Sequence, residues 1–310
     1  MLITKFNHIN LPSGTIRVSV TNACNMNCFY CHNEGQNKKE TKTLSFCDFK
    51  KIIDMAMSFG LCGITFSGGE PFLNKELDKM IMYCHNKGLK KIDICTNGVL
   101  IKENLEVLKS SNVIEIVFGI DVSSKDKISK KSPTGKNFDY IEGNLNLLKK
   151  ERIKFSINSV YSGSNLNEII DMCNYCNERR IDIRIIEMDT LKHTTNQKLT
   201  PLFKKCIDEI TKRFKLKLGY IEPMKNFYGI TENNSKIYFY HSSCHSRKCF
   251  NCSRWALRIS AEGEAIPCYA KNFKINLLSP DKTKRYDSFL QAIYSMGIPP
   301  EKQNNYKEGF

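Results

Sequence analysis

Residues 15–31 read TIRVSVTNACNMNCFYC, a short strand-like run followed closely by three cysteines. The β-branched run 15–20 predicts a strand, and Cys24, Cys28 and Cys31 follow it at positions i, i+4 and i+7. One turn with this spacing can direct all three sulfurs to a single point. Structural zinc sites and ordinary iron–sulfur clusters have four protein ligands, so three thiolates would leave one iron of a cluster free to bind a substrate or cosubstrate. A zinc site completed by His32 is the alternative that the spacing leaves open.

The composition is that of a globular protein with room for a sizeable core. The chain has 310 residues, of which 41% are hydrophobic and 25% charged, and this length suits one large α/β unit or two domains. No apolar run approaches the roughly 20 residues that cross a bilayer, and the start of the chain does not resemble a signal peptide. Fourteen cysteines without such a signal favour a reducing compartment. We therefore expect a cytoplasmic protein with no membrane partner.

The formal net charge of +15 comes mostly from lysines scattered along the chain. Scattered lysines usually form a solvated surface. The alternative is a positive field that attracts an anionic partner, either a nucleotide or a nucleic acid. The charge narrows the class of partner without choosing it.

Strand-like and helical patterns alternate through the first two thirds of the chain. We predict strands at residues 15–20, 62–66, 91–95, 115–120, 153–160 and 181–187, and helices at 44–60, 75–88, 102–111, 138–151, 166–180 and 201–214. Nearly continuous apolar strands separated by amphipathic helices indicate a parallel sheet with helices outside. Six units predict an α/β fold, a partial (β/α)6 TIM-type barrel over residues 1–215. A small α+β domain would occupy residues 216–310, with hairpin-like sequence to about residue 275 and a tail after it.

Polar motifs follow three of the predicted strands at their C-terminal ends, where barrels keep their chemistry. Ser67-Gly68-Gly69-Glu70-Pro71 follows the second strand, Thr96-Asn97-Gly98 follows the third, and Asp121 closes the fourth. Glycines allow a close approach of the backbone, and a glutamate can accept a hydrogen bond from an ammonium group. Each motif alone is weak evidence, but three at successive strand ends predict one site.

These motifs together resemble the radical S-adenosylmethionine (SAM) superfamily, whose signature is Cys-x3-Cys-x2-Cys with an aromatic residue before the third cysteine. The resemblance implies that Cys24, Cys28 and Cys31 hold a [4Fe–4S] cluster whose open iron chelates SAM, and that SAM is cleaved to a 5′-deoxyadenosyl radical. It also implies a set of SAM-binding residues: Tyr30, Gly68, Gly69, Glu70, Thr96, Asn97, Asp121 and Met188.

A second group of cysteines lies near the C-terminus. Cys249 and Cys252 are followed by Cys268, and Cys244 lies five residues upstream. Residues 255–269 read as a β-hairpin that returns Cys268 towards the first pair. Four ligands would close a zinc or iron–sulfur site, whereas three would leave an iron open. The spacing leaves both possibilities open.

The C-terminal cysteines and several flanking segments are similar to the MoaA family of GTP 3′,8-cyclases, which begins molybdenum-cofactor synthesis. The similar segments are residues 16–21, 31–35, 184–188 and 252–259. The resemblance implies a second [4Fe–4S] cluster and GTP as substrate. The residues that it assigns to substrate binding are Arg17, Arg184, Arg254, Arg258 and Asn158.

Other interpretations remain open beside the cyclase. The chain could be a related enzyme that modifies a peptide, or one that acts on another nucleotide or on RNA. A zinc-stabilised binding protein is the non-enzymatic alternative. An enzyme of this superfamily would need an electron donor of flavodoxin or ferredoxin type. The isolated cysteines are interpreted as packing residues: Cys47, Cys62, Cys84, Cys95 and Cys206.

Overall fold

The six predicted βα units are all present in the computed structural model. It describes residues 10–11, 13–28, 30–31, 40–111, 113–120, 138–188, 201–221, 226–241, 256–268 and 273–296. The strands of these units are β1 (Thr15–Thr21), β2 (Gly63–Gly68), β3 (Lys91–Thr96), β4 (Val113–Gly119), β5 (Phe155–Tyr161) and β6 (Asp182–Glu187). The helices are α1 (Phe46–Met57), α2 (Leu77–Asn86), α3 (Leu105–Ser110), α4 (Phe138–Lys150), α5 (Leu166–Arg179) and α6 (Pro201–Arg213).

The C-terminal region adds six shorter strands and one more helix. These are β7 (Gly219–Ile221), β8 (Asn226–Ile230), β9 (Lys236–Tyr240), β10 (Leu257–Ile259), β11 (Glu264–Cys268), β12 (Phe273–Asn276) and α7 (Lys282–Ser295). The predicted hairpin is confirmed, because β10 and β11 pair antiparallel with Arg258 opposite Ile266.

All of these strands form one sheet, in the order β12-β11-β10-β1-β2-β3-β4-β5-β6-β9-β8-β7. Strands β1 to β6 are parallel neighbours. The sheet continues at both edges, since β9 pairs parallel with β6 and β10 pairs parallel with β1. The fold is therefore the predicted parallel barrel-type sheet, and the C-terminal strands extend it on both sides.

Helix α1 shows how the sequence sets the ends and the buried face of these helices. Ser45 is its N-cap, and the serine side chain accepts a hydrogen bond from the backbone N–H of Asp48 at 3.1 Å. Such a cap satisfies one of the N–H groups that a helix start leaves without a partner. Phe49, Ile52 and Ile53 lie on one face of the helix and are buried. They pack between α1 and the sheet.

The two faces of the sheet differ in polarity. Side chains that point outward to the helices, such as Ile16, Val18 and Phe66, are completely buried and apolar. The alternate positions point to the inside of the barrel, as expected from the two-residue period of a strand, and many are polar. The interior of the barrel is thus equipped for a ligand.

Helix α7 was not predicted, because residues after about 275 were interpreted as a tail. Asp281 caps this helix by accepting hydrogen bonds from the backbone N–H groups of Thr283 and Lys284. The ring of Phe59 stacks on Tyr286 and Phe289, with centroids 4.9 and 5.9 Å apart. The helix therefore packs on the outside of the barrel beside α1. No helix within the described residues is long and apolar enough to cross a membrane.

Candidate active site

A cavity of about 320 Å³ opens at the C-terminal ends of the parallel strands. Cys24, Cys28 and Cys31 line it together with Arg17 and Asn158. Its volume lies within the range of small-molecule sites. The structure therefore brings the cysteine motif to the end of the barrel at which parallel-stranded enzymes carry their active sites.

The glycine motif holds the cysteine loop against the end of β2. The backbone N–H of Gly69 donates to the carbonyl of Thr21 at 2.8 Å, and that of Glu70 donates to the carbonyl of Ala23 at the same distance. A Cβ atom at Gly68 would overlap the carbonyl oxygen of Thr21, and one at Gly69 would overlap that of Ala23. Both glycines are therefore required for the close approach of the two backbones, and both also line the cavity.

Glu70 is fully buried and fully engaged within the protein. Its carboxylate accepts hydrogen bonds from Thr96 Oγ1 at 2.8 Å, the backbone N–H of Asn97 at 2.8 Å and that of Phe72 at 3.3 Å. Burial raises the pKa of Glu70 to about 7, while these donors act to lower it. The resemblance implied that this carboxylate binds the SAM amino group. Its contacts show that it fixes the loop after β3, and its contact with SAM stays a prediction.

The loop after β3 in turn touches the cysteine loop. Asn97 Nδ2 donates to Asn25 Oδ1 at 2.7 Å and lies 3.9 Å from the sulfur of Cys24. Glu70, Asn97 and Asn25 thus form a chain of hydrogen bonds from the buried carboxylate to the first cysteine. No motif in the sequence indicated the part played by Asn25.

The cysteine loop suits a metal cluster better than free thiols. The backbone N–H of Met26 donates to the sulfur of Cys24 at 3.4 Å, and that of Cys31 donates to the carbonyl of Cys28 at 3.1 Å. Burial raises the pKa of Cys24 to about 11, so its thiolate needs a nearby cation such as iron. His32, the fourth ligand of the alternative zinc site, lies outside the described residues.

Two unpartnered polar atoms face the same cavity. Ser67 Oγ and Asn158 Oδ1 are both buried without a hydrogen-bond partner among the described residues, and both residues line the cavity. Buried polar atoms are normally paired, so these two are suited to bind a polar ligand. Ser67 was named only as part of the glycine motif and was not expected to bind.

Of the predicted SAM contacts that the structure describes, all but Glu70 lie on the wall of this cavity. Residues on its wall include Tyr30, Thr96, Asn97 and Met188. Asp121 lies outside the described residues. Glu187, which was not predicted, is buried and also lines the cavity. Glu187 immediately precedes Met188 in the segment 184–188, which resembles the family and led to the prediction of Met188.

The predicted substrate-binding arginines differ in their surroundings. Arg17 lies on the cavity wall and donates to the sulfur of Cys95 at 3.2 Å. It is the register partner of Arg258 on the neighbouring strand β10. Arg184 instead forms an ion pair with Glu115 at 2.8 Å and also donates to Ser156.

The Arg184 guanidinium is thus paired with Glu115, and its predicted role in substrate binding stays a prediction. Lys154 lies 3.8 Å from the same carboxylate. Burial of the group acts to raise the pKa of Glu115, but its hydrogen bond from Ser156 and the charge of Arg184 hold it below its usual value. Arg254 lies outside the described residues.

The second cysteine group is described only in part. Cys244, Cys249 and Cys252 lie outside the described residues, and the backbone of Cys268 ends β11. Among the isolated cysteines, Cys84 and Cys206 are buried, as predicted. The packing prediction is wrong for Cys47 and Cys62, which are exposed, and for Cys95, which lies on the cavity wall.

The chain belongs to the radical SAM superfamily, whose family model matches residues 18–176. The match begins within β1 and includes the cysteine loop and strands β2 to β5. Family membership implies SAM and a [4Fe–4S] cluster, and the cavity described above has the thiols and the unpaired polar atoms that suit them.

Among curated proteins, the chain is similar to probable GTP 3′,8-cyclases of archaea. It is 27% identical to that of Methanococcus vannielii over 272 residues, which are 83% of this chain and 85% of the relative. It is 25% identical to that of Methanocaldococcus jannaschii over 273 residues, with 86% and 88% covered. These relatives share nearly the full length of the chain.

Solved structures of radical SAM enzymes have the same fold. Streptococcus suis SuiB bound to S-adenosylmethionine matches with a TM-score of 0.66 at 19% identity, covering 91% of this chain and 66% of that one. This chain thus spans about two thirds of the length of SuiB. The structure of anSMEcpe with bound AdoMet matches with a TM-score of 0.65 at 16% identity, covering 94% and 86%.

Proposed function

We propose that the chain is a radical SAM enzyme that acts on GTP as a 3′,8-cyclase. In this proposal Cys24, Cys28 and Cys31 hold the [4Fe–4S] cluster. The cluster and SAM supply a one-electron reductive cleavage that provides a hydrogen-abstracting radical. The relatives named as probable GTP 3′,8-cyclases support this substrate, since they match over more than four fifths of the chain.

The observation that carries the proposal is the pairing of Arg17 with Arg258 beside the cysteine cavity. The two residues are partners on adjacent parallel strands, whose backbones lie about 4.8 Å apart. Guanidinium groups bind phosphate oxygens in a bidentate manner. Two neighbouring arginines are therefore a suitable receptor for a triphosphate. Arg254, which precedes β10, is proposed to join them.

The protein groups around the cavity have separable roles in this proposal. Gly68 and Gly69 bring the end of β2 against the cysteine loop, and Glu70 orients Asn97 towards it. Ser67 Oγ and Asn158 Oδ1 offer hydrogen-bonding positions to the bound molecules. The surrounding apolar strands exclude water from the reacting atoms.

We also propose a second [4Fe–4S] cluster, held by Cys249, Cys252 and Cys268, with Cys244 as a possible fourth ligand. Support comes from the direction of the strands. Because β11 runs antiparallel to β10, its last residue Cys268 lies towards the N-terminal end of β10 and of its parallel partner β1. The cysteine loop of the first cluster follows the C-terminal end of β1. The two proposed clusters would therefore flank the barrel interior at opposite ends, about 20 Å apart by strand length.

The test is an anaerobic assay of the reconstituted enzyme with SAM and dithionite. 5′-Deoxyadenosine would be measured with and without GTP, and the nucleotide product analysed by mass spectrometry. We expect GTP to raise the yield of 5′-deoxyadenosine and to be converted to a cyclised nucleotide. If SAM is cleaved but GTP has no effect, the GTP assignment is wrong while the superfamily chemistry stands.

Two arginine variants connect this assay to the site. Arg258→Gln should raise the KM for GTP about 10-fold or more, since a charge-assisted phosphate contact is lost. Arg285→Gln is the matched control, because Arg285 lies on α7 and donates to the carbonyls of Ser279 and Pro280 outside the barrel. Equal KM values for the two variants would argue against phosphate binding by Arg258.

A peptide substrate is the second candidate, and the structural neighbours favour it. SuiB has also been solved with its precursor peptide SuiA, and that structure covers 98% of this chain at a TM-score of 0.66. Peptide-dependent SAM cleavage without a GTP effect would support this reading. For either substrate we propose an acidic electron donor of flavodoxin or ferredoxin type, whose charge would complement the net charge of +15.

A further inference from the structure

The inner face of β3 carries a carboxylate with one oxygen that lacks a partner. Asp93 is only 6% exposed. Its Oδ2 lies 3.2 Å from the ammonium group of Lys91, whereas Oδ1 has no hydrogen-bond partner among the described residues. A buried polar atom without a partner is destabilising, so this oxygen is suited to accept a hydrogen bond from a ligand.

Asp93 is placed at the level of the arginine pair and close to the cavity. Arg17 pairs in register with Thr65, and Thr65 pairs with Asp93, so the three share one level and one face of the sheet. Cys95, two residues further along β3 on the same face, lines the cavity. The neighbouring acid Glu115 is already engaged by Arg184. Of these two neighbouring acids, Asp93 is therefore the one with an open acceptor position within the described residues.

The inner wall consequently offers different groups on its two sides. Arg258 and Arg17 place guanidinium groups on β10 and β1, and two strands further on Asp93, whose Oδ2 pairs with Lys91, offers the acceptor oxygen Oδ1. A ligand that fits this wall has an anionic end and, at a distance from it, a hydrogen-bond donor. A guanine nucleotide has both, since its phosphates are anionic and the purine carries an N1–H and a 2-amino group.

We propose that Asp93 is a specificity-determining residue that recognises the guanine base, through a hydrogen bond from the 2-amino group to Oδ1. This inference rests on the proposed function. The phosphates would lie at Arg17 and Arg258, and the base would extend across β2 towards β3. A site that hydrogen-bonds a substrate donor rejects analogues lacking it far more strongly than an apolar pocket does.

The hydrogen bonds around Asp93 predict how Asp93→Asn would change the preference between two purine nucleotides. Lys91 is a donor and would hold the amide oxygen of the new side chain, so Nδ2 would occupy the position of Oδ1. The variant would present a donor where the wild-type protein presents an acceptor. Xanthosine triphosphate (XTP) has an oxygen in place of the 2-amino group and should pair with this donor.

The experiment measures binding of GTP and XTP to the reconstituted enzyme with SAM by anaerobic calorimetry. Wild-type protein should bind GTP about 10–100-fold more tightly than XTP, the range of a hydrogen bond to a charged group. Asp93→Asn should reverse this order. Asp54→Asn, which removes an acid from the outer surface that pairs with Lys87, should leave it unchanged.

The outcomes separate this inference from the proposed function. Wild-type protein that binds neither nucleotide overturns the proposed function and the guanine assignment with it. Wild-type protein that binds GTP and XTP equally overturns the inference alone, and this result needs no variant to fold. If Asp93→Asn keeps its iron content and melting temperature and still prefers GTP to XTP, the inference is likewise wrong.

Discussion

Asn74 connects three segments around the cysteine loop, and its replacement by aspartate is the sharpest test of the local structure. The side chain is 4% exposed. Its Nδ2 donates to the carbonyls of Val20 and Leu44, each at 3.0 Å, and its Oδ1 accepts from the backbone N–H of Glu76 at 2.9 Å. Asn74 thus fixes the end of β1, just before the cysteines, to the segment that leads into α1.

Asn74→Asp keeps the shape of the side chain but replaces the donating amide by an acceptor. The carbonyl of Leu44 loses its donor, whereas that of Val20 keeps the backbone N–H of Leu44 at 2.9 Å, and both face a carboxylate oxygen. The unsatisfied carbonyl costs about 1–3 kcal/mol and the buried carboxylate at least as much, so we expect the free energy of unfolding to fall by about 2–6 kcal/mol at pH 8. The loss should shrink at lower pH, because a protonated carboxyl group can donate to one of the carbonyls.

The assay is anaerobic guanidinium denaturation of wild-type and variant protein at pH 8 and pH 5. Asn104→Asp is the matched control, since the amide of Asn104 makes one hydrogen bond, to the carbonyl of Leu100 at 2.7 Å, in a partly buried setting. It should lower stability by only about 1 kcal/mol. A loss at Asn74 no larger than that at Asn104 would refute the role given to Asn74.

Three further predictions concern glutamate and glycine positions. Because burial raises the pKa of Glu70 from 4.5 to about 7, folding stability from this group is present below pH 4.5 and lost as pH rises through 7. Between pH 4.5 and 7, the free energy of unfolding of the wild-type protein should fall by about 3 kcal/mol relative to that of Glu70→Gln, as measured by denaturation. A difference between the two proteins that does not change with pH would contradict this. Gly69→Ala should abolish iron incorporation, measured by iron content and absorbance, since its Cβ would overlap Ala23. Gly143→Ala, in α4 with open space around it, should retain iron and raise stability by about 0.5–1 kcal/mol; the opposite ranking would contradict both glycine predictions.

The repeated βα pattern could be predicted because each element carries its own signal. The first six strands and helices have apolar periodicity, and their ends lie within a few residues of the predicted positions. Helix α7 was missed although Asp281 is a good N-cap, because its apolar residues follow a polar stretch that resembled a tail. The continuation of the sheet through β9 and β10 is a pairing between distant segments, which no local pattern reveals.

The site could be predicted as far as its motifs are local in sequence. The three cysteines and the Gly68-Gly69 pair lie together, as expected from their place at strand ends. The engagement of Glu70 by Asn97 and of Arg184 by Glu115 depends on residues far apart in the chain. Asp93 likewise gives no sequence signal, because only its surroundings show that one oxygen is unpaired.

The pairing of β1 with β10 has a consequence for how the chain is made. The backbone groups of Ile16 to Val18 find their second set of partners in Leu257 to Ile259, which the ribosome delivers long after it has made β1. Until then the first strand presents an open edge, the kind of surface that recruits other strands and promotes aggregation. A nascent or truncated chain that ends before residue 257 should therefore depend on chaperones to remain monomeric, even though the cysteine motif is complete within its first 31 residues.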